Sequence, residues 1–171
     1  MASTLDNISR GRLELGIGAG WFRDEHLAFG FDWNKHSARI ERLRETIEII
    51  KRLWAENQVS YDGKYFQLKD ATLEPKPLQK PCPVWVGGNS GDIRKVVAEL
   101  GDGWIPALPT QKQLAHGVVQ IKHIMKNYGR DPKMLRVAYG GSGCALIAEN
   151  EESVKDLAEP LIRSMKKPEE E

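Results

Sequence analysis

Val84-Trp85-Val86-Gly87-Gly88-Asn89-Ser90-Gly91 is a short apolar run ending in a glycine-rich turn, and Asp92 to Leu100 follows with the 3.6-residue apolar period of a helix. Gly103-Trp104-Ile105-Pro106-Ala107 then reads as another buried strand. Strand, turn, helix and strand in this order make a βαβ unit, whose two strands lie parallel. Working outward, Leu13-Glu14-Leu15-Gly16-Ile17-Gly18 is an earlier strand of the same kind, ending in a loop of Ala19, Gly20 and Trp21. From Asn34 to Trp54 the apolar residues Ile40, Leu43, Ile47, Ile50 and Leu53 keep the helical period. Glu48 and Arg52 stand one turn apart as a favourable ion pair. Gln58-Val59-Ser60-Tyr61 and Lys64 to Leu68 flank Asp62-Gly63, a dipeptide suited to a type I′ turn, so a hairpin interrupts the series. Pro75, Pro77, Pro81 and Pro83 make an extended connector into the Val84 strand. Thr110 and Gln113 form a capping box opening a helix to about Tyr128, with Gly129 beyond its end. Leu135 to Ala148 reads as a bent strand, and Asn150 caps a last helix to about Met165 that Pro160 weakens. Alternating strands and helices predict the α/β class with a parallel sheet. The expected organisation is a single domain over 1–171, with 55–80 as hairpin insertion and connector and 166–171 as a charged tail.

Composition bounds the function. The chain has 171 residues, 40% of them hydrophobic, which is enough to bury a core without disulfide or metal staples. Twenty-five Lys and Arg stand against 24 Asp and Glu, a balance that lacks the one-signed field of nucleic-acid or anionic-membrane binders. No run of about 18 apolar residues suggests a membrane span. The opening Met1 to Asp6 has no signal-peptide pattern, and Cys82 and Cys144 are read as reduced thiols of a cytoplasmic protein. His36, His116 and His123 have no ligand spacing, so no metal is expected.

Two glycine turns can carry chemistry. Gly16, Gly18 and Gly20 let a phosphate or ribose approach the backbone, but the third glycine of a dinucleotide fingerprint is absent, with Trp21 and Arg23 in its two registers. Leu13 to Gly16 also fits the first motif of a methyltransferase using S-adenosylmethionine, but the acidic ribose partner expected about 20 residues on would fall within a helix. Gly87, Gly88, Asn89, Ser90 and Gly91 offer free N–H groups at a helix start, suited either to phosphate or simply to an N-capped βα turn. Trp21, Glu25 and His26 follow a strand's C-terminal loop and are candidates for a substrate mouth, or surface residues beginning a helix. Trp54, Trp85 and Trp104 read as packing residues.

Taken together, Thr4 to Ser9, Gly11-Arg12-Leu13, Leu15 to Trp21 with Glu25 and Gly30, Arg39, Arg42 and Glu45, Leu53-Trp54, Tyr61 to Phe66, Pro75-Lys76-Pro77, Pro83 to Gly88 and Asp102-Gly103-Trp104 strongly resemble the bacterial luciferase-like family. The resemblance runs over about residues 3 to 107, with only the element order agreeing beyond. It implies a TIM-type (β/α) barrel and FMN or the deazaflavin F420, used for hydride transfer to a small-molecule substrate or for monooxygenation. By it, Leu13 to Gly18, Val84 to Gly87, Gly103 to Ala107 and Leu135 to Ala148 would be barrel strands four to seven. A full barrel takes about 250 residues, so strands one to three and eight are not accounted for, and Met1 to Asp6 falls where the family finishes its third helix. The expectation is therefore the central and later part of a longer enzyme, completed by the missing segments or by a homodimer partner. The family's catalytic residues cannot be carried over. Gly87 to Gly91 would take the cofactor phosphate, with Asn89 and Ser90 as its polar side chains, and Gly18, Ala19 and Gly20 would lie beside the cofactor. Ala19 stands where luciferase-type members can carry an arginine. A competing reading is a shortened, non-catalytic relative that binds flavin or dimerises.

Overall fold

A computed structural model describes residues 1–139 and, beyond them, 150, 152, 153, 155, 156, 158 and 159. The chain divides into two compact units, Met1–Gly140 and Gly141–Glu171. In the second, Asn150 Oδ1 accepts the Ser153 N–H at 3.0 Å, the expected cap, and the described positions from 152 to 159 are helical. The remainder of the strand expected to Ala148, the Pro160 region and the tail at 166–171 lie outside the described residues.

The first unit contains α1 (Ala2–Ile8), β1 (Leu15–Gly18), α2 (Arg23–Ala28), α3 (His36–Ala55), β2 (Val59–Asp62), β3 (Gln67–Ala71), β4 (Val84–Gly87), α4 (Gly91–Leu100), β5 (Gly103–Ile105), α5 (Gln111–Asn127) and β6 (Arg136–Val137). β1, β4, β5 and β6 form one sheet in that order, every neighbouring pair parallel. Strands that follow one another across the sheet without reversal are those of a singly wound barrel segment. The Rossmann-like arrangement that the methyltransferase reading requires has a switch point where strand order reverses, and this sheet has none among the described residues.

Strand alternation sorts the sheet into two faces. Ile17, Val86 and Trp104 share one level, and with Val84 they lie beneath α3, α4 and α5, packed with Ile47, Val96, Val97, Ile121 and Met125. Gly117 on α5 has its Cα against the Trp104 ring, so a larger residue there would displace the indole. On the opposite face Gly16, Trp85, Gly103 and Arg136 share a level. There Arg136 donates to the Glu14 carboxylate at 2.7 and 2.9 Å, Trp85 Nε1 donates to the same carboxylate, and the guanidinium lies 4.8 Å from the Trp85 ring. Trp85 and Trp104 are buried and Trp54 packs on the core's edge, as packing residues should.

Several local expectations are corrected. β1 begins at Leu15 because the backbone of Leu13 is engaged elsewhere: its N–H reaches Asp6 Oδ1 at 3.3 Å and its carbonyl accepts from Gln79 Nε2 at 2.8 Å. Glu48 and Arg52 do not pair; Glu48 accepts the Tyr61 hydroxyl at 2.8 Å, and Arg52 binds Glu56 at 2.8 and 3.0 Å. Asp62-Gly63 is not a two-residue turn. Asp62 pairs with Gln67, which leaves Gly63 to Phe66 as the loop, and Gly63 keeps a negative φ. The reason is Glu45 on α3, whose carboxylate accepts the N–H groups of Lys64, Tyr65 and Phe66 at 2.9, 3.0 and 3.1 Å. The loop is folded around that carboxylate, so tertiary contact overrides the dipeptide's own turn preference.

Candidate functional site

The C-terminal ends of β1, β4 and β5 open into a cleft of about 810 Å³. Its floor is made of Gly16, Gly18, Gly87 and Ile105, where small residues leave the backbone accessible. A Cβ on Gly18 would lie 3.3 Å from the Gly87 carbonyl oxygen. Gly88 has φ +128°, which L side chains rarely adopt, and a Cβ there would meet Ile93 Cγ1 at 3.2 Å. One wall is the turn Gly88, Asn89 and Ser90, and the other is Ala19, Gly20, Trp21, His36 and Arg39. The two glycine turns are thereby brought to opposite sides of one cavity.

The β4 to α4 turn is held from three directions. Ser90 caps α4, its Oγ accepting the Ile93 N–H at 3.2 Å. Trp104 Nε1 donates to the Gly88 carbonyl at 2.8 Å. Asn89 clasps the loop after β5 with both ends of its amide: Nδ2 donates to the Ala107 carbonyl at 2.7 Å and Oδ1 accepts the Ala107 N–H at 2.8 Å. Asn89 thus sits on the cleft while its side chain fastens two loops. Among the described residues, the N–H groups of Ser90, Gly91 and Asp92 have no hydrogen-bond partner. A helix start presenting free N–H groups and a hydroxyl is electropositive and suits an anion.

The other sequence candidates are distributed unevenly. Trp21 is on the cleft, 86% exposed and stacked on Phe22. Glu25 is exposed in the first turn of α2 and lines no part of the cleft. His26 lies in an adjoining pocket of about 600 Å³, with its ring edge-on to Trp33 and Nδ1 at 3.0 Å from the Phe22 carbonyl. Gly20 must be glycine on two counts, a φ of +77° and the His26 ring against its Cα. Gly91, the next residue after the cleft-lining Ser90, borders an adjacent depression with Arg94 and Lys95. Arg39, named from the sequence only among the residues of the family resemblance and not as a site residue, stands between the cleft and the adjoining pocket and lines both. Its amphipathic position on α3 gives no hint of this, because only the loop after β1 brings a cavity to that face. Cys82 is buried, and burial together with Asp6, Glu14 and Asp102 pushes its thiol up to about 11, so it is protonated and unsuited to nucleophilic work.

The sequence profile of the family described as luciferase-like monooxygenase matches residues 1–171. The chain belongs to that family. An FMNH(2)-dependent dimethylsulfone monooxygenase of Pseudomonas putida is 35% identical over 101 residues, covering 58% of this chain and 28% of the relative. An F420-dependent glucose-6-phosphate dehydrogenase of Amycolatopsis mediterranei is 35% identical over 103 residues, covering 60% of this chain and 31% of the relative. This luciferase-like chain therefore matches under a third of the length of these relatives. Among solved structures, the coenzyme F420-dependent tetrahydromethanopterin reductase from Methanopyrus kandleri superposes with a TM-score of 0.76 at 22% identity, over 98% of this chain and 51% of that one. A long-chain alkane monooxygenase superposes at 0.74 with 18% identity, over 94% and 42% of the two chains. Those likenesses establish the fold: α/β, with the sheet of a partial (β/α) barrel. In barrel terms the cleft lies at the C-terminal face, where the loops after the strands build sites.

Proposed function

We propose that this chain carries the cofactor-phosphate side of a luciferase-like oxidoreductase that uses FMN or F420 for hydride transfer to, or monooxygenation of, a small organic substrate. The observation that supports this most is the backbone cradle at the end of β4: Gly88 in a conformation reserved for glycine, then Ser90, Gly91 and Asp92 with free N–H groups at the start of α4. Such a cradle fits a phosphate without needing a cationic side chain, which suits a chain with Ala19 where a family arginine can stand. When bound, the flavin or deazaflavin ring supplies the redox chemistry. The residues present do the rest: Ser90 and the α4 N–H groups hold the phosphate, Gly18, Ala19 and Gly20 let the cofactor lie close to β1, and Asn89 keeps the two loops at a fixed separation. Trp21 covers the mouth, with His26 at the substrate side.

Fluorescence titration of the 171-residue chain with FMN and with F420 tests this. Saturable binding of one of them is expected, weakened a few-fold by Ser90→Ala, which loses one hydroxyl, and abolished by Gly88→Val. A folded chain that binds neither, or variants with unchanged affinity, would contradict the assignment.

A further inference from the structure

α5 differs from the rest of the chain in its charge. It carries Lys112, His116, Lys122, His123 and Lys126, and no Asp or Glu occurs anywhere from Gly103 to Arg130. Over the whole sequence the two signs balance at 25 against 24, so the imbalance is local. Leu114, Ile121 and Met125 turn one side of α5 to the core. The cations recur at three- and four-residue steps on the exposed side, with Val119 among them at 68% exposed. Helix stability does not account for them. The macrodipole favours Lys126 in the last turn but opposes Lys112 in the first, where no carboxylate stands. Lys122 and Lys126 are like charges one turn apart, which destabilises a helix. Among the described residues none of the three lysines has a carboxylate within 4 Å.

The stripe borders a groove against α4. Two depressions of about 210 and 490 Å³ adjoin α5 there, with Arg94 on the edge of both. The smaller is also lined by Gln113 and His116, the larger by Lys95, His123 and the apolar Val119 and Ile124. Arg94 is held by one arm, Nη1 donating to the Asn89 carbonyl at 2.5 Å, and among the described residues no carboxylate lies within 4 Å of it. The two acidic residues of α4 are already engaged: Asp92 with Lys95 at 3.2 Å and His36 at 3.6 Å, and Glu99 with Arg44.

We propose that this face docks an acidic segment of a partner protein, a helix whose carboxylates meet the cations of α5 and Arg94 while a small apolar side chain covers Val119. From Lys112 to Lys126 α5 rises about 21 Å, so a partner helix of about fourteen residues matches it end to end. The chemistry favours protein over other anionic surfaces. Sites for single-stranded nucleic acid set aromatic rings among their cations for base stacking, and no Phe, Trp or Tyr lies between Lys112 and Lys126. A helix lying on anionic lipid needs large apolar side chains on its exposed side, where α5 offers Ala115 and Val119. None of the three lysines lines the cofactor cleft, so the docking face stands independently of the cofactor reading.

The test is a titration of the ¹⁵N-labelled full chain with an alanine-based helical peptide carrying glutamates at i, i+3 and i, i+4 spacing around a central leucine. Saturable amide shifts are expected along α5 and at Arg94 and Lys95. The double variant Lys122→Glu with Lys126→Glu should bind about tenfold more weakly. Lys69→Glu, at an exposed lysine of β3, should leave the affinity unchanged. If the double reversal unfolds α5, Lys122→Gln with Lys126→Gln gives the reading, with a weakening of about threefold. The same peptide with Gln for every Glu should not bind. No saturable shifts on α5, equal weakening by Lys69→Glu, or equal binding of the Gln peptide would overturn the proposal. So would phosphatidylserine vesicles or a DNA duplex that shift the α5 amides at lower concentration than the peptide does.

Discussion

At Asp6 a fully buried carboxylate holds α1 to the connector, accepting from the Leu13 and Gln79 N–H groups at 3.3 and 3.0 Å and from Gln79 Nε2 at 2.8 Å. Burial alone would push its carboxyl up, but these donors together outweigh it and hold the group below its ordinary 3.8. Its contribution is therefore complete above 3.8 and is lost as pH falls through the lower folded value. Asp6→Asn, which sets an amide donor against existing donors, is expected to cost about 2 kcal/mol in urea unfolding at neutral pH and less in acid, below 3.8. An equal cost at both pH values would contradict the pairing. Cys82 gives a second check: buried, with its thiol pushed up to about 11, it should react with iodoacetamide at least about a hundredfold more slowly than a free thiol until the chain unfolds. At this scale Ser90 and Thr110 were legible as caps, because a hydroxyl just before an apolar period has few other uses. Asn89 was not, since its clasp on Ala107 joins residues far apart in sequence.

Among the elements, the long helix and the βαβ unit could be read because each has a regular apolar period and one covered face. Of α2 only a helix start at Glu25 and His26 could be read, as one of two alternatives: none of its six residues is buried, so no core stripe marks its extent. The hairpin was legible as an element but not in its loop, which depends on Glu45 reaching across from α3. Glu45→Ala should cost about 2 kcal/mol and speed amide exchange at Lys64, Tyr65 and Phe66, while the α5 amides keep their protection. Unaltered exchange in that loop would mean the carboxylate does not hold it. Tyr61 reports on the same contact, since burial and Glu48 push its hydroxyl up to about 12. Glu48→Gln should bring that titration down, as followed by ultraviolet difference spectra.

For the whole molecule, the parallel order of β1, β4, β5 and β6 follows from alternating strands and helices, and the sheet's open face follows from what the described residues do not cover. Among the described residues β1 and β6 are its edges, and Trp21, Phe29 and Phe31 are 86%, 73% and 64% exposed. Open strand edges and large exposed rings favour association. Sedimentation velocity is therefore expected to show concentration-dependent self-association; a monomer at every concentration would speak against it. The central claim concerns where the cofactor's phosphate sits, and residue-resolved NMR tests it most directly. On titrating FMN into ¹⁵N-labelled chain, the largest saturable amide shifts should fall at Gly88, Ser90, Gly91 and Asp92, with a second set at Gly18, Ala19 and Gly20. Saturable binding whose shifts avoid both turns would contradict the account.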